Sequence, residues 1–202
     1  MKKMFLTAVV ALMATVSAYA QNGYDDTKHE IAISYGGGSN SQILDVFENA
    51  IAYGFVGYRF NNERTFGPIS VEYFNHVKPW LGVGGIFVYG QNKRDAYSAL
   101  DNDKKDGELL DRYFTVMPAV KFDWLRKKHF GLYSKLGVGV TLRHENYDNT
   151  NEEFEDHKDT QLHVNWQATV LGIEAGSPRV RGFLEAGFGE QGIFSAGVRY
   201  KF

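Results

Sequence analysis

Along most of the chain beyond residue 28, apolar and polar side chains alternate with a period of two, the pattern of a strand with one apolar face. The last ten residues show it most plainly. Phe194, Ala196, Val198, Tyr200 and Phe202 fall on one face, and Ser195, Gly197, Arg199 and Lys201 on the other. The run from Arg179 sets Val180, Leu184, Ala186 and Phe188 against Arg181 and Glu185. From Gln161, Leu162, Val164, Trp166, Ala168 and Val170 oppose His163, Asn165, Gln167 and Thr169. From Phe130, Leu132, Leu136, Val138, Val140 and Leu142 oppose Tyr133, Lys135, Thr141, Arg143 and Glu145. From Arg112, Phe114, Val116, Pro118, Val120, Phe122 and Trp124 oppose Tyr113, Thr115, Lys121 and Asp123. Three earlier strands are expected at about 80–89, 67–76 and 29–36, and in the glycine-rich run 81–89 either face can be the apolar one.

The connections alternate in length. Tight turns are expected at 76–79, 125–128 and 177–178, long loops at about 37–65, 92–110 and 146–159, and a short closing connection near 189–192. Short turns on one side and long loops on the other are the arrangement of an outer-membrane barrel with both termini in the periplasm. The expected fold is all-β, an eight-stranded antiparallel up-and-down transmembrane β-barrel. Residues 50–60 also read as a strand. A ninth strand would break the parity, so 41–49 is read as a short helix and 50–60 as a hairpin arm in the first loop. The competing reading makes 50–60 the first barrel strand and leaves 28–49 as a periplasmic or lumenal segment.

The first twenty residues carry Lys2 and Lys3, an apolar run from Met4 to Val16, and Ser17-Ala18-Tyr19-Ala20. This is the form of a secretory signal peptide cleaved after Ala20, leaving 21–202 as the barrel domain. No later segment is apolar for the roughly 20 residues a spanning helix needs, so entry into a membrane has to be by strands. The absence of cysteine excludes a disulfide framework, thiolate zinc sites and cysteine nucleophiles. With 22 Lys+Arg against 24 Asp+Glu there is no nucleic-acid signature.

The leader, the amphipathic strands and the terminal Val198-Arg199-Tyr200-Lys201-Phe202 together resemble the small eight-stranded outer-membrane β-barrel proteins of Gram-negative bacteria, the porin-like or OmpA/OmpX type. The segments 67–74 and 80–85 are similar to a hairpin of the porin-like subgroup. The resemblance implies residence in the outer membrane, contact with its lipids and lipopolysaccharide, and reading of Tyr200 and Phe202 by the barrel-assembly machinery.

Eight strands enclose an interior that side chains can fill. The expected inward charges are Glu30, Glu72, Asp123, Glu145 and Glu185, with Lys121, Lys135, Arg143, Arg181, Arg199 and Lys201. Unpaired charge is costly in such a place, so these are expected to form a salt-bridged plug that closes the lumen. The expected function is a structural or surface-interaction role through the external loops, with a narrow channel or a lipid-modifying enzyme as alternatives. For an enzyme, the nearest match to the His-x-Ser of outer-membrane lipid A deacylases is His163-Val164-Asn165, which lacks the nucleophile, and His163 would need Ser134 or Thr169 within reach. Asp156-His157 reads as loop surface. No catalytic, cofactor or metal residue is therefore assigned.

The loop from Glu145 to Thr160 holds seven carboxylates (Glu145, Asp148, Glu152, Glu153, Glu155, Asp156 and Asp159) against Lys158. It lacks the ligand spacing of an EF-hand and reads as a solvated charged loop, with weak divalent bridging to lipopolysaccharide as a secondary reading. Lys78, Arg126, Lys127, Lys128, Arg179 and Arg181 are expected in periplasmic turns facing anionic headgroups. Trp80, Trp124, Tyr133 and Tyr200 are expected in the lower aromatic girdle.

Overall fold

The computed structural model describes residues 25–43, 59–97, 105–149 and 157–202. Eight strands follow in order: β1 (His29–Gly37), β2 (Arg59–Lys78), β3 (Leu81–Tyr97), β4 (Lys105–Arg126), β5 (Phe130–Asn149), β6 (His157–Gly176), β7 (Val180–Gly189) and β8 (Phe194–Lys201). Each pairs with its sequence neighbour, and β1 closes the barrel against β8. At the seam His29 N donates to Phe202 O, and Phe202 N to His29 O, both at 2.9 Å.

Because β1 begins at His29 and is paired on both sides, 28–49 is not a separate periplasmic or lumenal segment, and 50–60 is not the first barrel strand. Arg59 and Phe60 start β2. Residues 40–43 form a helical turn. The rest of 41–58 and the expected signal peptide 1–20 lie outside the described residues, as does 150–156 of the acidic loop.

The two faces separate as membrane solvation demands. Large apolar side chains such as Ile33, Val116, Val138, Leu184 and Phe194 are exposed on the outer wall, as on the outward face of a membrane barrel. In the ambiguous glycine-rich run, Val83 and Phe87 point outward. Ile86 and Val88 turn inward and join Phe74, Met117 and Ala119 in a small apolar layer of the lumen.

Aromatic side chains mark two levels. Phe66, Phe114, Trp166, Phe188 and Phe194 lie exposed toward one end, and Trp80, Trp124, Tyr200 and Phe202 toward the other. Trp80 stacks on Phe122 at 6.5 Å, with Lys78 Nζ 5.5 Å from its ring. Phe114 and Trp124 lie about ten residues apart on β4, about 33 Å of strand, which a tilt of about 40° reduces to about 25 Å. That is the height of an outer-membrane apolar band.

Strand length departs from expectation. Of the segments expected as loops, 59–65, 92–97, 105–110, 146–149 and 157–159 are strand, because β2 to β6 continue past the upper aromatic level. β1, β7 and β8 do not. Above the membrane neither face has to be apolar, so the alternation fades while the backbone ladder, from Gln91↔Arg112 to Ala96↔Gly107, persists.

Candidate functional site

Period-two alternation aims one residue in two into the lumen, and there charges from seven strands converge. Lys121 Nζ donates to Glu30 Oε1 at 2.6 Å. Lys135 Nζ bonds Glu72 and lies 2.8 Å from Glu185 Oε1. Asp123 Oδ2 bonds His76 Nε2 at 2.7 Å, and Arg199 Nη2 reaches Glu72 Oε2 at 3.3 Å. Arg181 and Lys201 complete this part of the expected set, both fully buried.

Three members were not anticipated. Glu174 accepts from Arg181 Nη1 and from Lys201 Nζ, each at 2.5 Å, and also from Arg199. Asp25, upstream of β1, accepts from Arg181 Nη2 at 2.9 Å and Lys201 Nζ at 3.0 Å. Arg126, at the end of β4, is buried and donates to Pro79 O and Thr27 O. The network among the described residues is then balanced, with six carboxylates (Asp25, Glu30, Glu72, Asp123, Glu174, Glu185) and six cations (Lys121, Arg126, Lys135, Arg181, Arg199, Lys201). Neutrality with good hydrogen bonding is what makes such burial tolerable.

Three expectations change. Tyr133 does not belong to the aromatic girdle: it is fully buried, its hydroxyl donates to Glu185 Oε1 at 2.6 Å, and Lys121 Nζ and Arg199 Cζ lie 4.2 and 4.6 Å from its ring centre. Arg126 and Arg181 face the lumen rather than phospholipid, since both are drawn to Asp25. Lys78, Lys128 and Arg179 stay exposed at the turns, and Lys127 partly so. Arg143 and Glu145 form a separate group on the outer extension. There Arg143 Nε donates to Asp111 Oδ1 at 3.2 Å, its Nη2 lies 3.6 Å from Glu145, and Arg94 Nη2 bonds Asp111 Oδ2 at 2.5 Å.

The missed residues had a faint signal in the sequence. Glu174 shares the parity of the inward face only after the register shift between Thr169 and Leu171, which puts both Val170 and Leu171 outward. A bulge of this kind resets the alternation without marking itself in composition. Asp25 precedes any strand pattern.

Asp25 lies outside the strands. Burial pushes its carboxyl up, but the nearby Lys201 ammonium and the Thr27 hydrogen bonds outweigh that and hold it below the usual carboxylate range. A depressed acid contributes stability above its unfolded value and loses it as pH falls through the folded value. Asp25→Asn is therefore expected to make the segment before β1 equally open to protease at neutral and acid pH, whereas in the parent opening requires acidification below the ordinary Asp range. Identical pH profiles for the two proteins would remove Asp25 from this role.

The histidine chemistry considered above does not assemble. His163 sits on the lumen side of β6, while Ser134 is on the outer wall, accepting from Trp124 Nε1 at 3.0 Å and donating to Val170 O at 2.6 Å. Thr169 Oγ1 accepts from Gln167 Nε2. Among the described residues no three or more His, Asp or Glu side chains are placed to hold a metal ion.

The outer end offers a different feature. β7 pairs with β6 only from Gly189↔Gln167 downward, so the β6 edge above Trp166 has no strand beside it among the described residues. Asn165 Oδ1 accepts from Trp166 N, and Asp159 Oδ1 from Thr160 N. Between these, Leu162 and Val164 are exposed on a strand edge.

The chain forms a closed antiparallel barrel of eight strands with an apolar outer wall between aromatic levels and a polar lumen. It has the fold of the small eight-stranded outer-membrane barrels. No protein-family profile matches the chain, and no curated protein matches it. Solved structures similar to it include two of Ail, the attachment invasion locus protein of Yersinia pestis, one in complex with the heparin analogue sucrose octasulfate. Each is 14% identical with a TM-score of 0.46, over 87% of this chain and 99% of the other.

Proposed function

We propose that this protein is a non-enzymatic barrel of the outer membrane that holds a rigid sheet above the cell surface for interaction with a partner. The observation that carries this reading is the unequal strand length. Five adjacent strands rise beyond the aromatic level while three stop there, and the risen sheet ends at a β6 edge that no strand pairs among the described residues. An exposed edge is a template for strand addition, in which main-chain hydrogen bonds supply affinity and alternate side chains supply selectivity. A packed, charge-balanced lumen supports a closed barrel. Lipid and lipopolysaccharide solvate the apolar wall, and the barrel-assembly machinery reads Tyr200 and Phe202.

Two measurements test it. In a planar bilayer the folded barrel is expected to be electrically silent; steady, discrete openings would move it to narrow-channel transport. On intact Gram-negative cells expressing the protein, external protease is expected to cut in the connections at the risen ends of β2 to β6. Protection of all these segments from outside, with cleavage only after the envelope is permeabilised, would invert the orientation and remove the surface role.

A further inference from the structure

Glu190 differs from the other buried carboxylates among the described residues. Those of the lower network, and Asp111, each have a lysine or arginine nitrogen within salt-bridge distance. Glu190 is 2% exposed and makes no ion pair. It lies in the connection between β7 and β8, which folds into the outer mouth of the lumen, so that Gln191 and Gly192 are buried with it.

Its partners are neutral. Oε2 accepts from Asn165 Nδ2 at 2.8 Å and from Ser41 N at 3.2 Å. Oε1 lies 2.7 Å from Ser41 Oγ and 3.4 Å from Thr115 Oγ1. Thr115 Oγ1 is 2.6 Å from Thr141 Oγ1, which accepts from Asn165 Nδ2. The two oxygens are therefore unlike. Oε2 meets only N–H donors, whereas Oε1 meets hydroxyls, which accept as readily as they donate. The neutral acid can donate from Oε1 to Ser41 Oγ while Oε2 keeps both its bonds, so the tie to Ser41 persists when the carboxyl is neutral. The ionised form is a buried charge with no counter-ion among the described residues.

The charged and titratable groups that face this chamber lie above and below it. Asp111 and Tyr113 on β4, Arg143 on β5 and His163 on β6 are above. Lys135 and Glu72 are below, joined to Gln191 at 3.1 and 2.6 Å. The described part of the first connection, 38–43, contains no titratable side chain. Burial pushes the Glu190 carboxyl above the usual carboxylate range, and the hydrogen bonds from Ser41, Asn165 and Thr115 only partly offset this.

Ser41 is what Glu190 holds. The segment 38–43 lies across the outer mouth with Ser39 and Ser41 buried, further tied by Asn40 Nδ2 to Asn165 Oδ1 at 3.0 Å and by Gln42 Nε2 to Gly67 O at 2.9 Å. We propose that Glu190 is a proton-dependent latch: as the neutral acid it fastens the segment 38–43 over the outer mouth of the lumen, and loss of that proton releases the segment. The closed form keeps a proton that the open form gives up. Its advantage is full below the ordinary carboxylate range and falls as pH rises toward the value in the closed form. This goes beyond the surface role and does not depend on it.

The test is amide hydrogen exchange of the segment 38–43 in the protein folded into lipid vesicles, corrected for the intrinsic pH dependence of exchange. Between about pH 4 and about pH 8, protection in the parent is expected to fall at least about ten-fold. Glu190→Gln, which imitates the neutral acid, is expected to hold the low-pH protection throughout. Ser41→Ala, which removes the hydroxyl partner, is expected to be poorly protected even in acid. A flat profile in the parent would overturn the latch, as would a parent-like fall in Glu190→Gln or full acid protection in Ser41→Ala.

Discussion

Replacing Glu174 with alanine is expected to lower the unfolding free energy by roughly 3–5 kcal/mol, the cost of stranding buried charge when one partner of an ion pair is removed. Glu174 binds Arg181, Arg199 and Lys201 directly and lies 3.7 Å from Lys121 Nζ. Without it, six buried cations face five carboxylates among the described residues. A surface pair would behave otherwise, contributing less than about 1 kcal/mol and fading with salt. The measurement is the urea midpoint of tryptophan fluorescence in lipid vesicles, at low and high ionic strength. The loss should be nearly independent of salt. Combining Glu174→Leu with Arg199→Met, which removes charge of both signs, is expected to cost less than the sum of the single changes. A loss below about 1 kcal/mol for Glu174→Ala would mean that the network is solvated and the lumen wet.

How much of this was legible in the sequence follows from where lipid is. Between the aromatic levels, one face of each strand must be apolar, so Phe114 to Trp124, Leu136 to Leu142 and Phe194 to Phe202 read correctly as wall. In β3 the glycines at 82, 84, 85 and 90 leave little hydropathy contrast, and only the fold decides that Ile86 faces inward. Above the membrane the contrast disappears, so the upper halves of β2 to β6 look like loops although they are paired. Charge identity was equally informative only within the regular pattern. Lys121, Lys135, Arg199 and Lys201 sit at inward parity, whereas Glu174 lies beyond a bulge and Asp25 and Glu190 outside any strand. Glu190 is the least visible, because a turn glutamate ordinarily points to water, and nothing local announces that the connection after β7 folds inward.

Gly172→Val is expected to destabilise the barrel by about 3 kcal/mol or more, although it adds apolar bulk to a strand and favours extended backbone. The reason is its cross-strand partner. Gly172 pairs with Tyr133, and a Cβ at Gly172 would stand 2.3 and 2.4 Å from Cε2 and Cζ of the tyrosine ring. The ring cannot retreat, since Lys121 and Arg199 lie on it and its hydroxyl is fixed to Glu185. Displacing it adds the strain of overpacking, about 1–3 kcal/mol, to a hydrogen bond with a charged acceptor, about 1.5–3 kcal/mol. Measured by the same unfolding midpoint, Gly172→Val should cost much less in a Tyr133→Ala background, where the space over residue 172 is already empty. Equal costs in both backgrounds would mean that valine acts on the strand pairing alone, and that the tyrosine ring has no share in holding Lys121 and Arg199 against their carboxylates.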